Sequence, residues 1–199
     1  EKKANLHVSG LFSDQGIHAD LRHMFALLDM AKKEKLSEVF IHLSLDGRDV
    51  PERSALCFVA QLRKKIKQVK IGTIASVYGR YFGMDRDKNW ERTLKAYEVM
   101  IEGKGHKART AEEAIKMAYA RGDKTDYYIE PTVIVDKQDR PIATINDGDA
   151  FIWFNFRTDR SRQITAMINQ IPYCPVKPKK ILKDLHYVCF TSYDDEWKL

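Results

Sequence analysis

The sequence predicts an α/β fold of three layers, α/β/α, in which helices cover both faces of a mainly parallel β-sheet. Short apolar, β-prone stretches alternate with amphipathic helical patterns along most of the chain. Turn-forming residues stand between the stretch and the helix at four successive junctions. A length of 199 residues, 44% of them apolar, suffices for one sizeable core, so a single domain is expected.

The first two units each consist of a strand, a turn and a helix. Residues 6–8 form a short strand pattern, and the turn-forming residues 13–16 are expected to cap a helix that includes His18 in its first turn. The second strand covers residues 39–45 and the second turn residues 46–49. Asp49 and Glu52 flank Pro51 in a pattern that resembles a capping box, so Asp49 is expected to cap the second helix.

The third unit has a strand at residues 71–77, a charged loop at residues 79–87 and an amphipathic helix from about Trp90. Thr110 and Glu113 form a capping box before a short helix. Between residues 122 and 149, short β-prone pieces alternate with turn clusters. This texture predicts a small β-hairpin excursion in which Asp147 and Gly148 make one turn.

The fourth junction separates a strand at residues 151–156 from a helical pattern at residues 164–171. The loop between them, residues 157–160, again carries arginine. A connector rich in proline and lysine covers residues 172–180, and residues 185–190 form the last predicted strand. The chain therefore contains four strand-to-helix loops with charged side chains.

Composition narrows the possible functions. The net charge of +6 is a moderate basic excess that suits nucleic acid, an anionic surface or a small acidic ligand. Three cysteines without C-x-x-C spacing favour a reducing cytoplasm over a disulfide framework or a zinc site. No apolar run reaches the length that spans a bilayer, so no membrane partner is expected. Dinucleotide, P-loop and nucleophile-elbow motifs are absent from the sequence.

If the strands are parallel, the four loops open on one edge of the sheet and bring their side chains together. The predicted site residues are His18, Arg48, Asp49, Arg80, Arg86, Arg157 and Arg160. Five arginines with few carboxylates indicate a site for a small, multiply charged anion. Each arginine alone is better explained by a surface ion pair or a solvated turn, but recurrence at four successive junctions favours the site. Asp49 stays open between a helix cap and a proton acceptor.

Four motifs at these junctions resemble those of cofactor-independent phosphoglycerate mutase. They are LFSDQGIH at residues 11–18, LDGRD at 45–49, GRYFGMDRD at 79–87 and NFRTDR at 155–160. The resemblance runs in order across nearly the whole chain. It covers the phosphotransferase, or substrate-binding, domain of that family.

The resemblance implies the interconversion of 3-phosphoglycerate and 2-phosphoglycerate, a step of glycolysis and gluconeogenesis, through a phosphoserine. It implies that Arg80, Arg86, Arg157 and Arg160 bind the phosphate and the carboxylate. It also implies that His18, Arg48 and Asp49 bind the glycerate, with Asp49 as the proton shuttle. In that family a second domain, of the alkaline phosphatase type, holds the serine and two divalent metal ions, usually manganese.

Residues 1–199 are accordingly expected to form a single substrate-binding domain of a two-domain mutase, without the covalently linked phosphatase-like domain. The chain lacks segments that resemble the family's metal-binding and nucleophile motifs, so we expect it to hold no metal and to be inactive alone. A standalone binding module for phosphorylated acids, or an inactive relative, is the alternative. Nucleic-acid binding would rest only on the net charge and on the lysines of residues 177–183.

Overall fold

The computed structural model describes residues 4–197. Within them the strands are β1 (Leu6–Phe12), β2 (Val39–Leu45), β3 (Thr73–Gly79), β4 (His106–Ala108), β5 (Thr132–Ile134), β6 (Ala150–Trp153) and β7 (His186–Cys189). The helices are α1 (Leu21–Lys33), α2 (Ala55–Val69), α3 (Arg80–Gly83), α4 (Trp90–Ile101), α5 (Ala111–Arg121) and α6 (Arg162–Ile168). A 3-10 turn, Asp126–Tyr128, lies between α5 and β5.

The seven strands form one sheet in the order β4-β5-β3-β2-β1-β6-β7. All neighbours are parallel except β3 and β5, which are antiparallel. Helices α1, α2 and α5 pack together on one face, and α4 packs with α6 on the other. Because both faces are covered, every residue of β1 and β2 is buried. The three-layer α/β fold predicted from the sequence is confirmed.

The starts of the first two helices differ from the prediction. Helix α1 is capped by Asp20, whose carboxylate accepts a hydrogen bond from the Arg22 N–H, and not by residues 13–16. His18 therefore precedes the helix. The interpretation of Asp49 as a helix cap is also wrong, because α2 begins only at Ala55. The intervening residues form an irregular loop, which local capping patterns do not predict.

The hairpin excursion is smaller than its sequence texture indicates. Strand β5 joins the main sheet beside β3, and a single antiparallel bridge joins Val135 to Pro141 around a tight turn. Asp147 and Gly148 do form a turn, but this turn leads directly into β6. The last strand is also shorter than predicted, because β7 covers only His186–Cys189 and not residues 185–190.

The register of the strands brings the four strand-to-helix loops to one edge of the sheet, which we call the junction edge. Phe12 at the end of β1 lies opposite Leu45 at the end of β2, which lies opposite Gly79 at the end of β3. Beyond β6 the chain stays against β1, because the Asn155 side-chain oxygen accepts a hydrogen bond from the Leu11 N–H at 2.8 Å. The loops that follow β1, β2, β3 and β6 therefore open together.

A row of buried polar side chains crosses the middle of the sheet. His42 Nδ1 bonds the Ser76 hydroxyl at 2.8 Å, and His42 Nε2 bonds His7 Nδ1 at 3.0 Å. The Ser9 hydroxyl bonds the His42 carbonyl and the Tyr78 hydroxyl, both at 2.8 Å. We call His7, Ser9, His42, Ser76 and Tyr78 the polar row. Each of them is fully buried.

Candidate anion-binding site

Arg80 lies at the centre of the junction edge. It is the first residue after β3, and only 1% of it is exposed. Its Nη1 donates to Asp46 Oδ1 at 2.7 Å and to Asp49 Oδ2 at 2.5 Å. Because both aspartates belong to the loop after β2, this guanidinium fixes two neighbouring junctions against each other.

Asp46 is held ionised by its surroundings. It accepts hydrogen bonds from the Ser13 hydroxyl at 2.6 Å and from the N–H groups of Arg48 and Asp49 at 3.1 and 3.0 Å. Burial alone would raise the pKa of Asp46, but these donors and Arg80 together hold its pKa below the ordinary value. The buried contact between Asp46 and Arg80 is therefore an ion pair.

A second group of charges gathers around Asp159. Its carboxylate lies 2.9 Å from Arg86 Nη1 and 3.1 Å from Arg157 Nε. His18 Nδ1 lies 3.7 Å from the same carboxylate. Burial would raise the pKa of Asp159, but Arg86, Arg157 and His18 lower it overall. Arg86 and Arg157 are exposed, so their guanidinium groups can turn towards a ligand.

Arg160 lies between these two groups. It is 7% exposed, and its Nη1 donates to the Met84 carbonyl at 2.8 Å. Burial, followed by repulsion from Arg80, lowers its pKa, and Arg86 and Arg48 act in the same direction. Among residues 4–197 neither Arg160 nor the exposed Arg48 lies within 4 Å of a carboxylate. Both keep their charge available.

His18 is neutral at pH 7. It is 3% exposed, and burial together with the positive charge of Arg80 lowers its pKa to about 4. Its Nδ1 has no hydrogen-bond partner among residues 4–197, and the same holds for Arg80 Nε. Buried polar atoms without partners are rare, and two in one cluster indicate a place where a polar ligand completes the bonding.

The charge of the cluster suits an anion. Five arginines stand beside three aspartates, Asp46, Asp49 and Asp159, and the histidine among them is neutral. The cluster therefore carries a positive excess. Among residues 4–197 the structure shows no group of three or more His, Cys, Asp or Glu side chains that could hold a metal ion. Nor does any helix in that range have the length and apolar content needed to cross a membrane.

All of the residues predicted from the sequence lie at this edge: His18, Arg48, Asp49, Arg80, Arg86, Arg157 and Arg160. Sequence reasoning missed Asp46 and Asp159, which pair with the arginines. One signal was present, because Asp46 directly follows β2 and Asp159 stands between two site arginines. Their residue type alone could not separate them from other loop aspartates, such as Asp85, which accepts hydrogen bonds from the Asp87 and Asn89 N–H groups.

Comparison with known proteins identifies the family of this chain. The family model described as BPG-independent PGAM N-terminus matches residues 1–195. A curated relative from Moorella thermoacetica, named 2,3-bisphosphoglycerate-independent phosphoglycerate mutase, is 46% identical over 95% of this chain and 36% of its own length. A relative of the same name from Chloroflexus aurantiacus is 50% identical over 98% of this chain and 40% of its own length.

A solved structure of Leishmania mexicana phosphoglycerate mutase, determined at low cobalt concentration, superimposes with a TM-score of 0.93. It is 30% identical and covers 98% of this chain and 37% of its own. This chain thus spans little more than a third of the length of the proteins that it matches. By sequence and by fold, it belongs to the BPG-independent phosphoglycerate mutase family, where it corresponds to the amino-terminal region that the family model describes.

Proposed function

We propose that the cluster binds phosphoglycerate, and that this chain is the substrate-binding domain, residues 1–199, of a mutase that interconverts 3-phosphoglycerate and 2-phosphoglycerate. The observation that carries the proposal is the positive cluster with its buried, unpartnered Arg80 Nε and His18 Nδ1. Phosphoglycerate offers two anionic groups and a hydroxyl, which suit several arginines and a neutral imidazole. The names of the relatives point to the same ligand.

The proposed roles follow from exposure and charge. Arg86 and Arg157 are exposed and close over the phosphate, while Arg160 and Arg80 form the fixed floor beneath the phosphate and the carboxylate. Arg48 and His18 hold the glycerate. Because His18 is neutral at pH 7, it orients a ligand oxygen by hydrogen bonding and does not add charge.

Asp49 is the proposed proton shuttle, since it is partly exposed and held by Arg80 at the edge of the cluster. The phosphorus–oxygen bond of the substrate breaks as a bond to a serine oxygen forms, and the proton that the serine loses reaches the leaving glycerate oxygen through Asp49. In the return transfer Asp49 takes the proton of the other hydroxyl as that oxygen attacks the phosphoserine, and the proton returns to the serine oxygen as the phosphoserine bond breaks. Retention of glycerate between the two transfers is what this chain contributes.

The serine is proposed to belong to a covalently linked phosphatase-like domain, together with two divalent metal ions, of which manganese is the expected species. No residue of this chain is assigned to them. The partners are then the two phosphoglycerates and the linked domain, with no role for nucleic acid. A reducing cytoplasm suits the three free cysteines.

Calorimetric titration with 3-phosphoglycerate tests the proposal. Arg157→Ala and Arg160→Ala are expected to weaken binding by about tenfold or more each, because each removes a charged donor. Arg140→Ala is the matched control, since Arg140 is exposed and pairs with Asp136 in the tight turn after β5. Equal affinity of all four proteins would contradict the site.

An activity assay tests whether this chain alone can catalyse the reaction. The purified chain is expected to show no interconversion of the two phosphoglycerates with Mn²⁺ added, because the nucleophile is assigned to another domain. Coupled-enzyme detection of 2-phosphoglycerate measures this. Turnover by the chain alone would contradict the proposed assignment.

A further inference from the structure

The 3-10 turn Asp126–Tyr128 contacts two of the four junction loops. Asp126 is 1% exposed, and its Oδ2 accepts hydrogen bonds from the N–H groups of Ser54 and Ala55, both at 2.8 Å. Its Oδ1 accepts the hydroxyl proton of Tyr119. This aspartate, distant in sequence, thus supplies the cap that α2 lacks from its own loop.

The backbone of the turn adds further bonds on both sides. The Asp126 N–H donates to the Glu52 carbonyl at 2.7 Å, and the Gly79 N–H donates to the Ile129 carbonyl at 2.7 Å. The first bond holds the loop after β2 and the second holds the end of β3. Residues 126–129 therefore bridge the two loops that carry Arg48, Asp49 and Arg80.

Two glycines allow the turn to approach this closely. A Cβ atom at Gly47, which has φ +63°, would lie 2.7 Å from the Tyr127 nitrogen. A Cβ atom at Gly79 would overlap the Tyr127 carbonyl. Each glycine directly precedes a site arginine, Arg48 in one case and Arg80 in the other. The contact between turn and loops is thus closest where the site side chains begin.

We propose that Asp126 is a positioning residue of the anion site, which sets the loop of Arg48 and Asp49 against Arg80. It touches no substrate in this account, and it acts through the α2 start and the backbone on either side of Gly47 and Gly79. The 2.5 Å contact between Asp49 and Arg80 depends on that spacing. The inference rests on the proposed function, because the site that it positions is the phosphoglycerate site.

A merely structural cap would lower stability and leave the affinity of the folded protein unchanged. Asp149 provides the matched control. It is also buried and also accepts two backbone N–H groups, those of Asn5 at 3.0 Å and Asn146 at 2.9 Å, but it lies just before β6, at the sheet edge opposite the junctions. Asp149→Ala removes a comparable buried carboxylate at a distance from the site, together with its 3.3 Å contact to His7 Nε2.

The experiment compares Asp126→Ala, Asp126→Asn and Asp149→Ala by titration with 3-phosphoglycerate, at a temperature where all are folded by circular dichroism. Asp126→Ala is expected to bind about tenfold more weakly than the unaltered chain, because the two loops lose their common anchor. Asp126→Asn is expected to bind within about twofold, since the amide oxygen still accepts both N–H groups. Asp149→Ala is expected to keep full affinity.

Hydrogen–deuterium exchange of peptides over residues 46–49 and 79–81 supplies a readout independent of binding. Faster exchange there in Asp126→Ala, but not in Asp149→Ala, supports the positioning role. If the unaltered chain binds and Asp126→Ala binds equally well, the inference is overturned while the proposed function stands. If the unaltered chain does not bind, the proposed function fails, and unchanged exchange in Asp126→Ala overturns the inference as well.

Discussion

The junction edge and the polar row place buried histidines in opposite circumstances. In the polar row both ring nitrogens of His42 have partners, Ser76 and His7. At the junction edge His18 Nδ1 and Arg80 Nε are buried without partners among residues 4–197. In the polar row His7 Nε2 also lacks a hydrogen-bond partner among these residues, and the Asp149 carboxylate lies 3.3 Å from it. Neither burial nor a single unpartnered atom therefore marks function. Two unpartnered nitrogens in one cluster with an excess of positive charge, as at the junction edge, do indicate a place where a polar ligand binds.

The two regions also differ in whether their buried side chains are charged. The polar row consists of neutral groups, and burial lowers the pKa of His42 well below its ordinary value, with His7 adding to the effect. The junction edge instead holds the ion pair of Arg80 and Asp46, with 1% of each side chain exposed. Burial of such a pair costs desolvation free energy, which the proposed anion-binding role explains and stability alone does not.

The largest effect is expected at Arg80. Arg80→Met leaves Asp46 buried without its cation, so the free energy of unfolding is expected to fall by about 3 kcal/mol. Affinity for 3-phosphoglycerate is expected to fall by about 100-fold or more, because a fixed donor is lost. Urea unfolding and calorimetry measure the two quantities.

Arg63→Met is the control for this substitution. Arg63 makes a bidentate ion pair with Glu112 at 3.0 and 3.1 Å, but at least a third of each side chain is exposed. Its removal is expected to cost about 1 kcal/mol at most and to leave affinity unchanged. Equal losses from the two variants would remove the distinction between the two kinds of ion pair.

A matched pair of histidine substitutions separates the two regions directly. His42→Gln breaks bonds on both sides of the ring and is expected to lower the free energy of unfolding by about 2 to 3 kcal/mol without changing affinity in the folded protein. His18→Gln breaks no side-chain hydrogen bond and is expected to cost about 1 kcal/mol while weakening 3-phosphoglycerate binding by about tenfold. The reverse pattern would show that the polar row, and not the junction edge, carries the ligand.

A smaller effect concerns pH. Burial lowers the folded-state pKa of His18, and also that of His7, to about 4 from an ordinary value of 6.5. Between those values the unfolded chain binds protons that the folded chain does not. Stability is therefore complete above pH 6.5 and is lost as the pH falls towards 4, by up to about 1.4 kcal/mol per pH unit for each histidine.

Urea unfolding at several pH values measures this slope. His18→Gln is expected to show a shallower slope than the unaltered chain between pH 4.5 and 6, because one of the titrating groups is gone. Identical slopes would mean that His18 is not buried as a neutral ring in solution.

Much of the fold was predictable, because alternating strand and helix patterns report burial on the two faces of a parallel sheet. The site arginines were predictable because they lie in loops that follow the ends of parallel strands, and those ends meet at one edge of the sheet. Hydrogen bonds between residues that are distant in the sequence were not predictable. Asp126 caps α2 from more than seventy residues away, and no local pattern distinguishes it from Asp49, which the capping pattern favoured.

The polar row escaped prediction for a related reason. Nothing in the local sequence around His7 or His42 indicates a shared buried row, and only the pairing of β1 with β2 brings the two rings together. Side chains that meet on adjacent parallel strands are separated by a whole helix in the sequence, so their contact depends on the tertiary fold.

A crystal structure of the chain with 3-phosphoglycerate tests most directly whether the cluster binds this ligand. Ligand oxygens are expected within about 3.2 Å of Arg80 Nε and His18 Nδ1, with Arg86 and Arg157 turned away from Asp159 and towards the ligand. A ligand bound elsewhere, or one that leaves both of these nitrogens without a contact, would contradict the proposed site.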